Sequence, residues 1–209
     1  MESKVGMNCF YTNTPGIGGK LKRYPEDFRV EEEIELPELK DGEYTIAKIW
    51  SRNWETNRLV RKLAKTLEIS RNDIAFAGTK DKRAITTQWM SFKAPPNDLE
   101  EVDIKDIRVT DIKESHRSLH IGAHYGNSFE IIIRDLDVDF NEGIRIVEKT
   151  GELINEEGGF PNWFGIQRFG ALRPITHLVG KYIVQGDFKK AVRTYVANPI
   201  KGEHQRCYQ

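Results

Sequence analysis

The residues best suited to chemistry lie in one short stretch, residues 77–88, which is rich in charged side chains. Asp81 stands there among three cations, Lys80, Lys82 and Arg83. Nearby positive charge favours the ionised form of a carboxyl group, and an ionised, positioned Asp suits nucleophilic or general-base chemistry. The same cations suit a polyanionic substrate. By residue type alone, a polar hairpin with ordinary surface ion pairs is the more frequent explanation of such a stretch.

Two predicted strands flank this stretch and must position Asp81. The apolar run 74–76 predicts a short buried strand, and residues 84–92, rich in Ile, Thr, Trp and Phe, predict a second. Gly78 can adopt backbone angles that a residue with a Cβ avoids. We therefore expect a tight turn at Gly78 that holds Asp81 at the junction between the two strands.

The stretch also resembles the signature of a known family. Its spacing is similar to that of the TruD family of tRNA pseudouridine synthases at six positions: Gly78, Lys80, Asp81, Ala84, Thr86 and Gln88. The resemblance implies that Asp81 is the catalytic aspartate. Because they are cations beside it, we also expect Lys80 and Arg83 to contact RNA.

A second motif of this family is found near the N-terminus. The segment from Pro25 to Val30, followed by Glu32, resembles the family pattern Pro-Glu-Asp-Phe-x-Val-x-Glu. The resemblance implies that Lys22 and Phe28 approach the active-site cleft; otherwise they would be an ordinary surface lysine and core phenylalanine. We favour Lys22 over Lys80 and Arg83 as the cation that keeps Asp81 ionised, since adjacent strand residues point to opposite faces.

A third motif follows a Gly-Gly pair, in residues 160–170. Taken alone, this aromatic loop could stack on a base or pack against the core. It matches the TruD-family pattern Asn-x-Phe-Gly-x-Gln-Arg-Phe-Gly at every specified position, beginning at Asn162. The resemblance implies that Asn162 and Phe164 line the uridine pocket, with Phe164 against the target base. Arg168 either contacts phosphate or braces the loop. A Gly-Asn-x-Phe pattern ending at Phe129 also resembles the family, and we assign it a mainly structural role.

The net charge of zero conceals an uneven distribution. Residues 52–93 carry ten Lys/Arg and four Asp/Glu, and residues 158–209 carry eight and two, whereas residues 94–157 carry seven and sixteen. Each basic segment contains a candidate motif, so folding could join them into one positive face for nucleic acid. Without the motifs, solvated surfaces explain the distribution equally well.

A helix is predicted over residues 56–68, because Leu59, Leu63 and Leu67 recur at four-residue intervals. Its opposite side carries a basic stripe of four cations: Arg58, Arg61, Lys62 and Lys65. The stripe either contacts RNA phosphates or forms an ordinary solvated helix face, and the second explanation is the more frequent.

Composition excludes several other classes of protein. No apolar run approaches the roughly 20 residues that a membrane-spanning helix needs, and the N-terminus lacks the apolar region of a signal peptide. Two cysteines, Cys9 and Cys207, are too few for a disulfide framework or a cysteine zinc site. His116, His120 and His124 are spaced by four, but neighbouring glycines favour a strand and a turn over a metal-binding helix. We expect a cytoplasmic protein without structural metal.

The predicted fold class is α+β, and the resemblance implies the pseudouridine-synthase core. We expect residues 1–170 to form a mixed, mainly antiparallel sheet with flanking helices on one side, its cleft lined by the loops around Asp81 and Asn162. Strands at 22–36 and 43–50 should pair with each other. Residues 171–209 would begin the family's inserted domain. The chain then stops, which predicts either a fragment or a shortened member of the family.

The predicted function is isomerisation of a uridine in tRNA, at position thirteen by family precedent. The C1′–N1 bond breaks, the uracil rotates, and C5 is joined to the sugar; Asp81 either attacks C1′ or abstracts a proton. This chemistry needs no redox step or external donor, so we expect no cofactor, and we expect a monomer. Two alternatives are a non-catalytic RNA-binding module and an acid/base hydrolase, although a second carboxylate of motif quality for the latter is lacking.

Overall fold

A computed structural model of the protein describes residues 9–40, 42–162, 165–170 and 173–197. The chain divides into two compact units. One unit is Ile17–Gly143 and contains all the strands described below; the other combines the residues before and after it. The assignment of residues 171–209 to the start of an inserted domain stays a prediction.

The described residues contain the strands β1 (Phe28–Ile34), β2 (Tyr44–Arg52), β3 (Ile74–Phe76), β4 (Ile85–Phe92), β5 (Ile107–Ser115) and β6 (His124–Ile131). They form one mixed sheet in the order β5-β2-β4-β1-β6, with β3 also paired to β4. The β1–β4 pair is parallel and the other pairs are antiparallel, which confirms the mixed, mainly antiparallel α+β prediction.

The expected pairing of the first two strands with each other is wrong. β4 lies between them, with Val30 of β1 opposite Thr86 and Ser51 of β2 opposite the same residue. β4 is the central strand of the sheet, and its Gln88 and Met90 side chains are buried. Strands that follow each other along the chain are neighbours in only about two-thirds of cases, so the order of β1 and β2 in the sequence does not determine their pairing.

One helix in this unit, α1 (Thr56–Thr66), covers one face of the sheet. Its apolar side chains join the buried core formed with Ile49, Met90 and Phe92. Glu55 begins the helix by accepting hydrogen bonds from the Asn57 and Arg58 amides at 2.9 and 3.0 Å. These bonds hold the pKa of Glu55 below its usual value, and the bond from the Asn57 amide has the largest effect.

Three of the remaining helices agree with the sequence pattern. That pattern predicts helices at 141–155, 174–185 and 187–197, and the structure confirms them with small changes at their ends. Asp139 caps the first of these, since its carboxylate accepts the Asn141 and Glu142 amides. The helices are α2 (Pro96–Glu100), α3 (Phe140–Glu156), α4 (Thr176–Val184) and α5 (Phe188–Val196).

Candidate active site

Asp81 lies in the connection between β3 and β4, with its side chain 54% exposed. Its Oδ2 atom is 3.1 Å from the Nζ atom of Lys22, so the two form an ion pair. The carboxylate is therefore both accessible to a large substrate and oriented by a single cation. That combination suits a group that must meet a substrate atom directly.

Lys22 reaches Asp81 because a hydrogen bond joins the segment before β1 to the connection between β3 and β4. Arg83, two residues beyond Asp81, donates from Nη2 to the backbone oxygen of Arg23 at 2.5 Å. Arg23 in turn forms an ion pair with Asp135. Lys22 itself has a positive φ of 53° and places its ammonium 3.8 Å from the centre of the Phe28 ring. Lys22 thus contacts an aromatic face on one side and the carboxylate on the other.

The Pro-Glu-Asp turn fixes the start of β1, and hence Phe28. Asp27 is fully buried and accepts bonds from the Tyr24 amide at 2.9 Å and from Arg134 Nε at 2.8 Å. The bond from Arg134 is the main reason that the pKa of Asp27 lies below its usual value. Glu26 binds Arg52 at 2.5 Å. Glu26 and Asp27 therefore both stabilise the turn.

A second aromatic ring adjoins this site. The rings of Phe28 and Phe129 meet edge to face, with centroids 5.9 Å apart. Val30 pairs with Phe129 across the β1–β6 ladder, which puts Phe28 and Phe129 on the same face of the sheet. Sequence reasoning gave Phe129 only a structural role. Its place in a strand antiparallel to β1 was the missing information.

Lys80 behaves differently from its neighbour Asp81. Its ammonium lies 2.5 Å from Oε1 of Glu32, and the two side chains are 5% and 0% exposed. Its backbone N–H donates to the Thr56 hydroxyl at the start of α1, at 2.8 Å. This buried position does not favour the RNA contact predicted for Lys80. It indicates instead that Lys80 anchors the loop that presents Asp81.

Glu32 also completes the sheet at a point where two strands fail to meet. Along one edge of β4, β1 pairs as far as Thr87 and β3 begins at Met90. The amide of Trp89 lies in this gap and donates to Oε2 of Glu32 at 3.0 Å. One carboxylate therefore replaces a missing strand contact and binds Lys80, which explains why an acidic residue interrupts the apolar side of β1.

The expected tight turn at Gly78 is wrong. Gly78 has no turn, no bend and no positive φ, and the bends fall at other positions of the connection. A Cβ at this position would approach the Cε1 atom of His124 to 2.8 Å, so a larger residue would have to displace that ring. The β3–β4 connection therefore packs directly against the first residue of β6.

The other predicted site residues belong to the second unit. Asn162 is exposed, and Arg168 is an exposed residue of the short 3₁₀ turn Ile166–Phe169. The Arg168 backbone oxygen accepts a bond from the Thr176 hydroxyl at 3.2 Å. Phe164 lies outside the described residues. The convergence of Asp81 with Asn162 and Phe164 stays a prediction.

The site offers an oriented carboxylate, one paired cation and two aromatic rings. Across residues 9–40, 42–162, 165–170 and 173–197, no group of three or more His, Cys, Asp or Glu could hold a metal ion. Within the same ranges, none of the helices has the length and apolarity to cross a membrane.

Comparisons with known proteins identify relatives of this chain. The family model of tRNA pseudouridine synthase D (TruD) matches residues 4–209. The chain is 44% identical over 204 residues to the protein assigned as tRNA pseudouridine synthase D in Methanosarcina acetivorans, covering 97% of this chain and 46% of that protein. The corresponding Archaeoglobus fulgidus protein is 41% identical, covering 98% and 49%.

A solved structure shares the fold. The crystal structure of a protein assigned as TruD from Methanosarcina mazei matches with a TM-score of 0.88 and 41% identity, covering 99% of this chain and 47% of that one. The protein is therefore a member of the TruD family of tRNA pseudouridine synthases. The chain spans about half the length of the curated relatives that it matches.

Proposed function

We propose that this chain binds tRNA and isomerises one uridine to pseudouridine, with Asp81 as the catalytic carboxylate. The observation that carries the proposal is the Lys22–Asp81 pair, in which an accessible carboxylate is oriented at 3.1 Å inside a TruD-family motif. Family precedent favours the uridine at position thirteen. The activity belongs in the cytoplasm, where we expect the chain to act as a monomer without a cofactor.

Asp81 acts on the sugar of the target uridine. Either its carboxylate attacks C1′ as the C1′–N1 bond breaks, or it removes a proton from the sugar. In the first route C5 of the rotated uracil attacks C1′ and displaces the Asp81 carboxylate; in the second, the proton returns to the sugar as C5 bonds to C1′. In both routes C5 loses its proton and N1 gains one. Lys22 orients the carboxylate through its ion pair, and Phe28 supports the Lys22 ammonium.

The target base must leave its stack before it reaches Asp81. Flipping costs a few kcal/mol, and stacking on an aromatic ring returns about 1–3 kcal/mol per base. We assign this stacking to Phe164 and a hydrogen bond near the base to Asn162. Arg83 and Arg168 supply positive charge for neighbouring phosphates.

The Asp81→Asn variant tests the catalytic assignment. We expect it to abolish tritium release from C5-labelled uridine in a tRNA transcript while changing tRNA affinity by no more than a few fold. Asn preserves the shape of the side chain but can neither attack C1′ nor accept the proton. Asp111→Asn is a matched control, because Asp111 is exposed on β5. Full turnover by Asp81→Asn would remove Asp81 from the catalytic role.

One alternative has an observation in its favour. Because the chain spans about half the length of its relatives, it could bind tRNA without performing the reaction. The same assay separates the two functions. Tight tRNA binding by the unaltered chain, with no tritium release, would establish the non-catalytic RNA-binding module instead.

A further inference from the structure

We propose that the outer face of α1 contacts the phosphate backbone of the RNA substrate; this inference rests on the tRNA-binding function proposed above. We call this surface the α1 basic face. The core packing of α1 fixes its orientation, since Leu59 and Leu63 are almost fully buried and the basic residues point outward. Its four members are all exposed: Arg58, Arg61, Lys62 and Lys65.

The α1 basic face carries charge of one sign. Thr56–Thr66 contains no acidic residue, and among the described residues none of the four cations lies within ion-pair distance of a carboxylate. Two of them have weaker partners, since Glu55 attracts Arg61 from outside the helix and Arg58 lies over the Trp54 ring. Their spacing places like charges three and four positions apart, where they destabilise the helix by repulsion. Solvated helix faces usually interleave both signs of charge. An excess of one sign, kept despite its cost, is complementary to a polyanion.

The helix is also tied to the loop that carries the catalytic aspartate. The Thr56 hydroxyl, in the first turn of α1, accepts the backbone N–H of Lys80, the residue before Asp81. A strand that presents its uridine to Asp81 therefore passes the beginning of α1. From Arg58 to Lys65 the helix advances about 10 Å, comparable with about three phosphates along one nucleic-acid strand. The face has the size and charge of a short backbone contact.

Removal of the charge with retention of the helix tests the contact. The variant carries Gln at all four positions of the α1 basic face, and Gln has nearly the same helix propensity as Lys and Arg. The matched control also replaces two exposed lysines and two exposed arginines by Gln. They lie in or next to the edge strand β5: Lys105, Arg108, Lys113 and Arg117. Circular dichroism verifies that both variants fold.

The measurement is the dissociation constant of an unmodified tRNA transcript, determined by fluorescence anisotropy between about 50 and 200 mM KCl. The logarithm of the affinity decreases linearly with the logarithm of the salt concentration, and each lost phosphate contact reduces the magnitude of this slope by about 0.7–0.9. We expect the magnitude of the slope to decrease by at least about 1 in the α1 variant and to stay unchanged in the control. Affinity at the lowest salt should fall accordingly.

The outcomes separate the two proposals. If the unaltered chain binds tRNA and both variants keep the same slope, the α1 contact is overturned and the proposed function stands. If both variants lose the same slope, binding is non-specific charge attraction, and the α1 contact is again overturned. If the unaltered chain does not bind tRNA, the proposed function fails and the inference fails with it.

Discussion

Replacement of Lys22 by Met gives the sharpest test of how Asp81 is oriented. The side chain loses its ion pair with Asp81 and its position over the Phe28 ring. An exposed ion pair contributes about 0.2–1 kcal/mol, and a cation–aromatic contact contributes about 0.5–1 kcal/mol. The combined loss is about 0.7–2 kcal/mol. If this energy orients the proposed catalytic carboxylate, kcat/KM should fall about 3- to 30-fold.

The fold supplies an unusually close control for this variant. Lys48 pairs with Glu31 at 2.8 Å, and the two side chains are 28% and 56% exposed. Lys22 and Asp81 are 28% and 54% exposed. Lys48 also lies near an aromatic ring, that of Trp89, at 5.7 Å. Lys48→Met therefore removes a comparable set of contacts at a position without a proposed catalytic role.

The two variants are compared by urea unfolding and by initial rates of tritium release from tRNA. We expect similar, small losses of unfolding free energy in both, but a loss of turnover only in Lys22→Met. Lys22→Arg should restore part of the rate, since it restores the charge. Equal rates in the Lys22→Met and Lys48→Met variants would refute the idea that Lys22 orients the catalytic group.

Two further predictions concern the supports of the site. Lys80→Met leaves Glu32 as a buried, unpaired charge. The variant should therefore lower the free energy of unfolding by about 3–5 kcal/mol and make the connection between β3 and β4 more susceptible to trypsin. The double variant with Glu32→Gln should recover part of this stability in the same urea titration. The pKa of Asp27 is lowered by Arg134 in the folded state, so its contribution to stability is complete above about pH 4 and falls as the pH drops through the folded pKa. Asp27→Asn should therefore destabilise the protein most at neutral pH and progressively less below about pH 4, in unfolding measured from pH 7 to pH 3; a constant difference would contradict the Asp27 assignment.

Local patterns were enough to predict the elements of this fold. The four-residue spacing of leucines located α1, and the apolar and β-branched runs located β3 and β4. These features depend on neighbouring residues, which sequence shows directly. The pairing of the strands was not predictable in the same way. β4 lies between β1 and β2, and this order depends on contacts between distant segments of the chain.

The site shows the same division between local and distant information. The Lys22–Asp81 pair joins residues far apart in the chain, and only the family resemblance suggested it. Glu32 gave a visible signal, since it interrupts the apolar alternation of its strand, but the sequence could not name its partner. A lysine next to a catalytic candidate suggests substrate contact, and the sequence does not show that the Lys80 side chain is buried against Glu32.

The opposite directions of Lys80 and Asp81 have a consequence for engineering. Lys80 is held inside the protein by a carboxylate that also fills a gap in the sheet, and this sets which of its neighbours faces outward. A deletion or insertion of one residue between Gly78 and Asp81 would therefore separate Lys80 from Glu32 or Asp81 from Lys22. Grafting of this loop onto another scaffold would require transfer of Glu32 and of the interrupted strand edge that it bridges. The loop sequence alone does not determine which of its side chains face outward.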